Sequence, residues 1–180
     1  MPLLFLVTSA VMAVTAPDGN APRPGVTAHM HRLLTAPDRH VRTFNGRVTG
    51  ALFAGARRSA TFASLVTALD ASYVIAYIEL AHDLPSLVEG RLVLATRTSS
   101  HRYVRIQIRA SQSPDEIIAV LGHELQHALE IAQAPGVQDE ASMRRYYERA
   151  GAGRSHERGF ETRAAQDAGR QVRLELRRNA

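Results

Sequence analysis

The chain has 180 residues, 45% apolar and 22% charged, and a formal net charge of +5, a composition that excludes a disordered chain and fits one folded domain. It has no Cys and no Lys, which excludes disulfides, Cys-held metal sites, thiol nucleophiles and Schiff-base chemistry. Residues 1–143 carry 12 Arg against 12 acids, and residues 144–180 carry 10 Arg against 5 acids, so the whole excess lies at the C-terminal end.

Leu3 to Val14 is uncharged and mostly apolar. It is short for a membrane span and suits the apolar stretch of a signal peptide, with small residues at 13–16 for cleavage. The competing reading is a buried N-terminal strand or helix. The expected organisation is a signal peptide over 1–16, a linker over 17–25 and a single domain over 26–180. The protein is then exported, with no membrane span left after signal removal.

Val26 to Leu34 is expected to form a short helix stopped by Pro37, and Leu52 to Leu69 a longer, Ala-rich one. Tyr73 to Leu80 is β-branched and aromatic and reads as a strand. Arg91 to Arg97 is apolar on both faces and is expected as an interior strand. Tyr103 to Arg109 alternates, with Val104, Ile106 and Ile108 on one face. Helices follow at about 114–132, 138–150 and 159–177, broken at Pro135-Gly136 and Gly151-Ala152-Gly153. Strands followed by helices imply an α+β domain: a twisted sheet of three or four strands with helices packed on it.

Ser113-Pro114-Asp115-Glu116 is a helix start, with Ser as N-cap, Pro at the first position and Glu closing a capping box. Further along this helix stand His123, Glu124 and His127. Two His four residues apart lie one above the other, so both imidazoles can reach one metal ion. Glu124 lies about 100° round the helix, near enough to act on a metal-bound water without being a ligand. The apolar residues Ile117, Ile118, Leu121, Leu125, Ala128, Leu129 and Ala132 occupy one arc of about 120°, with the two His near the opposite side. The pair is therefore placed toward a cleft. The plainer alternative is a solvent-facing His pair.

A zinc site needs a further protein ligand. Downstream candidates are Asp139, Glu140, Glu148, His156, Glu157, Glu161 and Asp167. With the last helix phased from Phe160, Glu161 falls in the arc that holds Ala164, Ala165, Ala168, Val172 and Leu176. A carboxylate on a buried face is costly unless paired or bound to metal, so Glu161 is the expected third ligand. Arg163, Arg170, Arg173 and Arg177 fall on the opposite side, which reads as a solvated back face.

The string G-H-E-L-Q-H-A-L-E, with Phe160-Glu161-Thr162 and Ala164-Ala165 further on, resembles the zincin metallopeptidases. Within them it is similar to the gluzincin type, in which two His and a distal Glu hold zinc. The stretch from about Ala51 to Leu176 also resembles small bacterial proteins of this kind without an assigned substrate. The resemblance implies a zincin-like fold and one zinc ion on His123, His127 and Glu161. It implies hydrolysis of a peptide or amide bond in a peptide or protein substrate, with Glu124 as general base. Such an enzyme needs an oxyanion stabiliser; His156 is favoured, with Tyr146 and Tyr147 as alternatives. Peptidases of this class hold substrate along a sheet edge, here the strand at 103–109 or that at 91–97.

The alternative is a zinc-binding fold without turnover, serving as an interaction module. A nucleic-acid binder using the basic end would interleave Arg with aromatics. The last helix has no aromatic after Phe160, so no nucleic-acid partner is expected.

Overall fold

A computed structural model describes residues 39–150, 153–155 and 159–179 of the chain. The apolar run at 3–14, the linker at 17–25, the helix expected at 26–34 and His156 lie outside the described residues. Within them the chain forms a small α+β fold: a mixed four-stranded sheet, a two-stranded hairpin and five helices. In chain order these are β1 (Val41–Thr43), α1 (Gly46–Arg58), α2 (Ala60–Asp70), β2 (Val74–Ala81), β3 (Gly90–Arg97) and β4 (Arg102–Arg109). After them come α3 (Pro114–Gln133), α4 (Glu140–Arg149), β5 (Gly153–Ser155), β6 (Gly159–Glu161) and α5 (Arg163–Arg178). No helix among the described residues is long and apolar enough to cross a membrane.

The sheet order is β1-β2-β4-β3, with β1 and β4 both parallel to β2 and β3 antiparallel to β4. β4 is thus interior and β3 is the edge, the reverse of the burial expected for the strand at 91–97. Its two apolar faces have separate causes. Leu92 and Leu94 pack against the core, while Val93 borders a cavity. The alternation in β4 does its expected work: Val104, Ile106 and Ile108 are fully buried opposite Ala76, Ile78 and Leu80 of β2. Strand β1 has only three residues, too few to show a period.

The single helix expected over 52–69 is two. Ser59 takes an extended conformation and serves α1 as C-cap and α2 as N-cap. Its hydroxyl accepts from the Phe62 amide at 3.0 Å and donates to Glu175 Oε2 at 2.6 Å. That hydroxyl gives the backbone a partner outside the helix and ends it there. Gly55 lets the two helices close up, since a Cβ there would stand 2.8 Å from Ile118 Cγ2 and 2.9 Å from Phe62 Cδ1.

Helix α3 is the centre of the molecule. It starts on the expected capping box at Ser113 and Glu116. Ile117, Ile118, Leu121, Leu125, Ala128 and Ile131 are buried in the main core, which also holds residues of α1, α2 and the sheet. Each large apolar side chain buried here contributes about 2 kcal/mol. Its other side is not open either, because α5 packs along it. A Cβ on Gly122 would stand 2.8 Å from Val172 Cγ2, and one on Gly169 would stand 3.1 Å from His123 Cβ. These two glycines let the backbones of α3 and α5 approach closely.

The far end of α3 is closed by a strand residue. Arg102, buried at the start of β4, donates to the carbonyls of Ala134 at 2.8 Å, Val137 at 2.9 Å and Ala132 at 3.3 Å. A guanidinium here satisfies carbonyls that the helix end leaves open and meets the negative end of its dipole. Arg102→Leu should therefore lower unfolding free energy by about 3 kcal/mol, measured by urea denaturation. A loss below about 0.5 kcal/mol would show that water serves these carbonyls equally well.

Candidate functional site

Helix α3 presents His123, Glu124 and His127 as the sequence phasing requires, and all three border one cleft. The cleft is more enclosed than a helix wheel conveys. Glu124 is 4% and His127 5% exposed, while His123 is half-buried. The two imidazoles point at each other, with Nε2 atoms 3.2 Å apart. Glu161 Oε2 lies 3.5 Å from His123 Nε2. The structure thus brings together the four residues His123, Glu124, His127 and Glu161.

Glu161 arrives by a different route from the one expected. It is not on the last helix. It ends the short strand β6, and α5 starts two residues later with Thr162 as N-cap. A hydroxyl accepting from the Ala165 amide at 3.1 Å stops the helix from extending back to 159.

Two residues outside the predicted set hold this arrangement. Glu130 is 7% exposed, and its Oε2 is 2.9 Å from His127 Nδ1. Its Oε1 accepts from Thr162 Oγ1 at 2.7 Å. Thr162 therefore caps α5 and ties the residue next to Glu161 onto α3. The signal for Glu130 was its place three residues after His127, on the same helix face. Thr162 had no sequence signal beyond its capping chemistry. Gly90 is also required: a Cβ there would stand 2.6 Å from Val120 Cγ1 and 2.9 Å from Glu124 Oε1. Only glycine lets the edge strand lie against the Glu124 carboxylate.

The hydrogen bond to Glu130 engages one side of the His127 ring, its Nδ1. The Ala165 backbone lies beside the His123 ring and favours its charged form. The two Nε2 atoms face each other across a seat that a shared proton can fill. Burial, joined by the neighbouring His127, pushes His123 down to about 4, so it is neutral at pH 7. Burial also acts against charge on His127. The Glu130 hydrogen bond and the carboxylates of Glu124, Glu130 and Glu161 outweigh it and raise that ring above the usual value. Burial, with Glu161 nearby, pushes Glu124 up to about 7, although His127 acts the other way.

Tyr147, Tyr146, Asp139 and Asp167 have other duties, while Glu140 borders the smaller cavity and Glu157 lies outside the described residues. Tyr147 is buried behind His127, edge-on to its ring at 5.5 Å, with its hydroxyl 3.4 Å from Nδ1. It stacks on Phe160 at 5.2 Å, and burial raises its phenol well above the ordinary range. Tyr146 is half-buried against Tyr147. Asp139 caps α4 through Ser142, and Asp167 pairs with Arg163 and Arg170.

Two cavities meet at His123, Glu124 and Glu161. One, of about 760 Å³, runs from His123, Glu124 and Glu161 along α5. The other, of about 280 Å³, is lined by Leu92, Val93, Met143, Tyr147 and Phe160 as well as the two His. Among the described residues no group of three or more His, Cys, Asp or Glu side chains is placed so that it could hold a metal ion. Comparison with protein-family models, with curated proteins and with solved structures finds no match to this chain.

Glu124 ionises near its ordinary 4.5 in the unfolded chain and near 7 in the fold. Folding therefore binds a proton between those values, and stability falls as pH rises through that window. Metal-free Glu124→Gln should be more stable than wild type at pH 8, by on the order of 3 kcal/mol, with the difference gone at pH 4. Equal stabilities at both pH values would refute the buried, uncompensated carboxylate. Thr162→Val, which removes both hydroxyl bonds, should cost about 2 kcal/mol, and Thr162→Ser less than about 1 kcal/mol. Thermal unfolding of the two variants makes the comparison.

Proposed function

We propose that this chain is a zinc-dependent hydrolase of the metallopeptidase type, with a zincin-like arrangement of edge strand and active-site helix. His123, His127 and Glu161 would hold one zinc ion, and Glu124 is the general base. The observation that carries the reading is that the two Nε2 atoms face each other with Glu161 beside His123, while Glu130 holds the Nδ1 side of His127. Ligands at about 2.1 Å on a tetrahedral zinc stand about 3.4 Å from one another. The separations here are 3.2 Å between the imidazoles and 3.5 Å from His123 to Glu161. Glu130 behind His127 is the carboxylate partner that metal-bound imidazoles commonly have. Two imidazoles and one carboxylate are also the donor chemistry that zinc takes.

When bound, zinc supplies a Lewis acid that polarises a carbonyl and makes a nearby water more acidic. The protein does the rest. Glu124 takes a proton from the attacking water at its carboxylate and delivers it to the departing amine. Burial raises its proton affinity in the metal-free fold, in the direction that favours a base. Strand β3 runs past the site as the sheet edge, and Gly90 to Val93 border the smaller cavity. An extended peptide laid beside β3 would bring its backbone to Glu124. The apolar cavity lined by Met143, Tyr147 and Phe160 would receive a side chain of that peptide.

Elemental analysis after purification in zinc should find one zinc per chain, lost in His123→Ala and in Glu161→Ala. Glu124→Gln should keep the zinc and lose at least about 1000-fold in peptide hydrolysis. No zinc in the wild type would end the reading. Zinc without hydrolysis in either wild type or Glu124→Gln would favour a binding module.

A further inference from the structure

The basic C-terminal helix is not a uniform back face. Of its arginines, Arg170 and Arg173 line the larger cavity, together with Gln166 and Gly169 and opposite the loop residues Ser86 to Gly90. The cause lies in the packing of α5. Gly169 rests on His123 and Val172 on Gly122. Residues 170 and 173 follow these contacts on the helix, so they come to the side of the seam where the cleft opens.

The charges around this cavity are unequal in availability. Glu124 and Glu161 belong to the reacting centre. Glu89 lies exposed on the facing loop. Arg170 is drawn onto Asp167. Arg173 makes no hydrogen bond or ion pair among the described residues. Arg173 acts weakly on Glu116, a carboxylate that already accepts from the Ser113 amide at 2.9 Å and hydroxyl at 2.8 Å. Arg173 therefore keeps its planar set of donors for something else. The smaller cavity on the other side of His123 is mainly apolar, so the two ends of the cleft differ in chemistry.

We infer that Arg173, with Arg170 beside it, recognises a carboxylate of the substrate, which is thus a peptide bearing an acidic side chain or a free C-terminus near the reacting bond. A guanidinium meets a carboxylate through two parallel hydrogen bonds. The cavity joins this pair directly to Glu124 and the two His. The inference rests on the proposed hydrolase, whose substrate it narrows.

Binding separates the two ideas. Fluorescein-labelled Ala-rich peptides with one Asp or Glu, their Asn or Gln counterparts, and free or amidated C-termini are titrated against Glu124→Gln, with and without zinc, by anisotropy. The ionised member of a pair should bind at least about tenfold tighter, and the gap should shrink as salt rises. Whether the side chain or the terminus gives the gap identifies the carboxylate. Adding Arg173→Glu should abolish the gap and favour Lys-containing peptides, and Arg173→Gln should abolish it without that reversal. Equal affinities in every pair, or a gap unchanged in Arg173→Glu, overturn the inference. The arm without zinc reads the compartment by itself. A protein that binds zinc and hydrolyses peptides regardless of charge keeps the proposed function and loses this inference.

Discussion

The distance between α3 and α5 is the constraint on which the site depends. It is set by two glycines, Gly122 facing Val172 and Gly169 facing His123. A methyl group at Gly122 would collide with the β-branched Val172, and one at Gly169 would press on the stem of His123 and the Ala119 carbonyl. With the helices at this spacing, the backbone of Ala165 reaches the His123 ring and Thr162 reaches Glu130. Glu161, one residue before Thr162, is then carried to within 3.5 Å of His123. The third residue of the site is thus placed by helix packing, not by a long loop folding onto a preformed centre.

The same packing gives the site its electrostatics. Glu124 lies between α3 and the edge strand and is denied water, which lifts its pKa in the metal-free fold, in the direction that favours a base. His127 is equally enclosed but has Glu130 behind it, so its charged form is supported while that of His123 is not. Adjacent rings on one helix are driven in opposite directions by what stands behind each. A proton can occupy the seat between them, and a metal ion would have to displace it, which couples metal uptake to pH.

Much of this was legible in the sequence, where local rules act alone. The alternation of Val104, Ile106 and Ile108 and the capping box at Ser113 give β4 and α3 as found, because pleat and cap are local properties. The spacing of His123 and His127 gave the pair, because the helix fixes it. The break at Ser59 was not legible in an Ala-rich run, since it depends on Glu175 of a distant helix. The edge position of β3 was masked by apolar residues that serve two different surfaces. Glu161 was chosen for its burial, yet it sits on a strand end, because Thr162 starts the helix later than the apolar pattern does. Arg170 and Arg173 are exposed as the phasing requires, and they also border the larger cavity. A helix wheel gives the side opposite the core, and here part of that side borders the cleft.

The central claim is that the seat between His123 and His127 belongs to a metal ion completed by Glu161. A crystal structure of the zinc-soaked protein, with anomalous data at the zinc edge, tests this most directly. The account predicts one strong anomalous peak, about 2.1 Å from Nε2 of both His123 and His127 and bonded to a Glu161 oxygen, with Glu124 beside it but not bound. A zinc peak located elsewhere, or no peak at this seat while the two imidazoles keep their present separation, would contradict it.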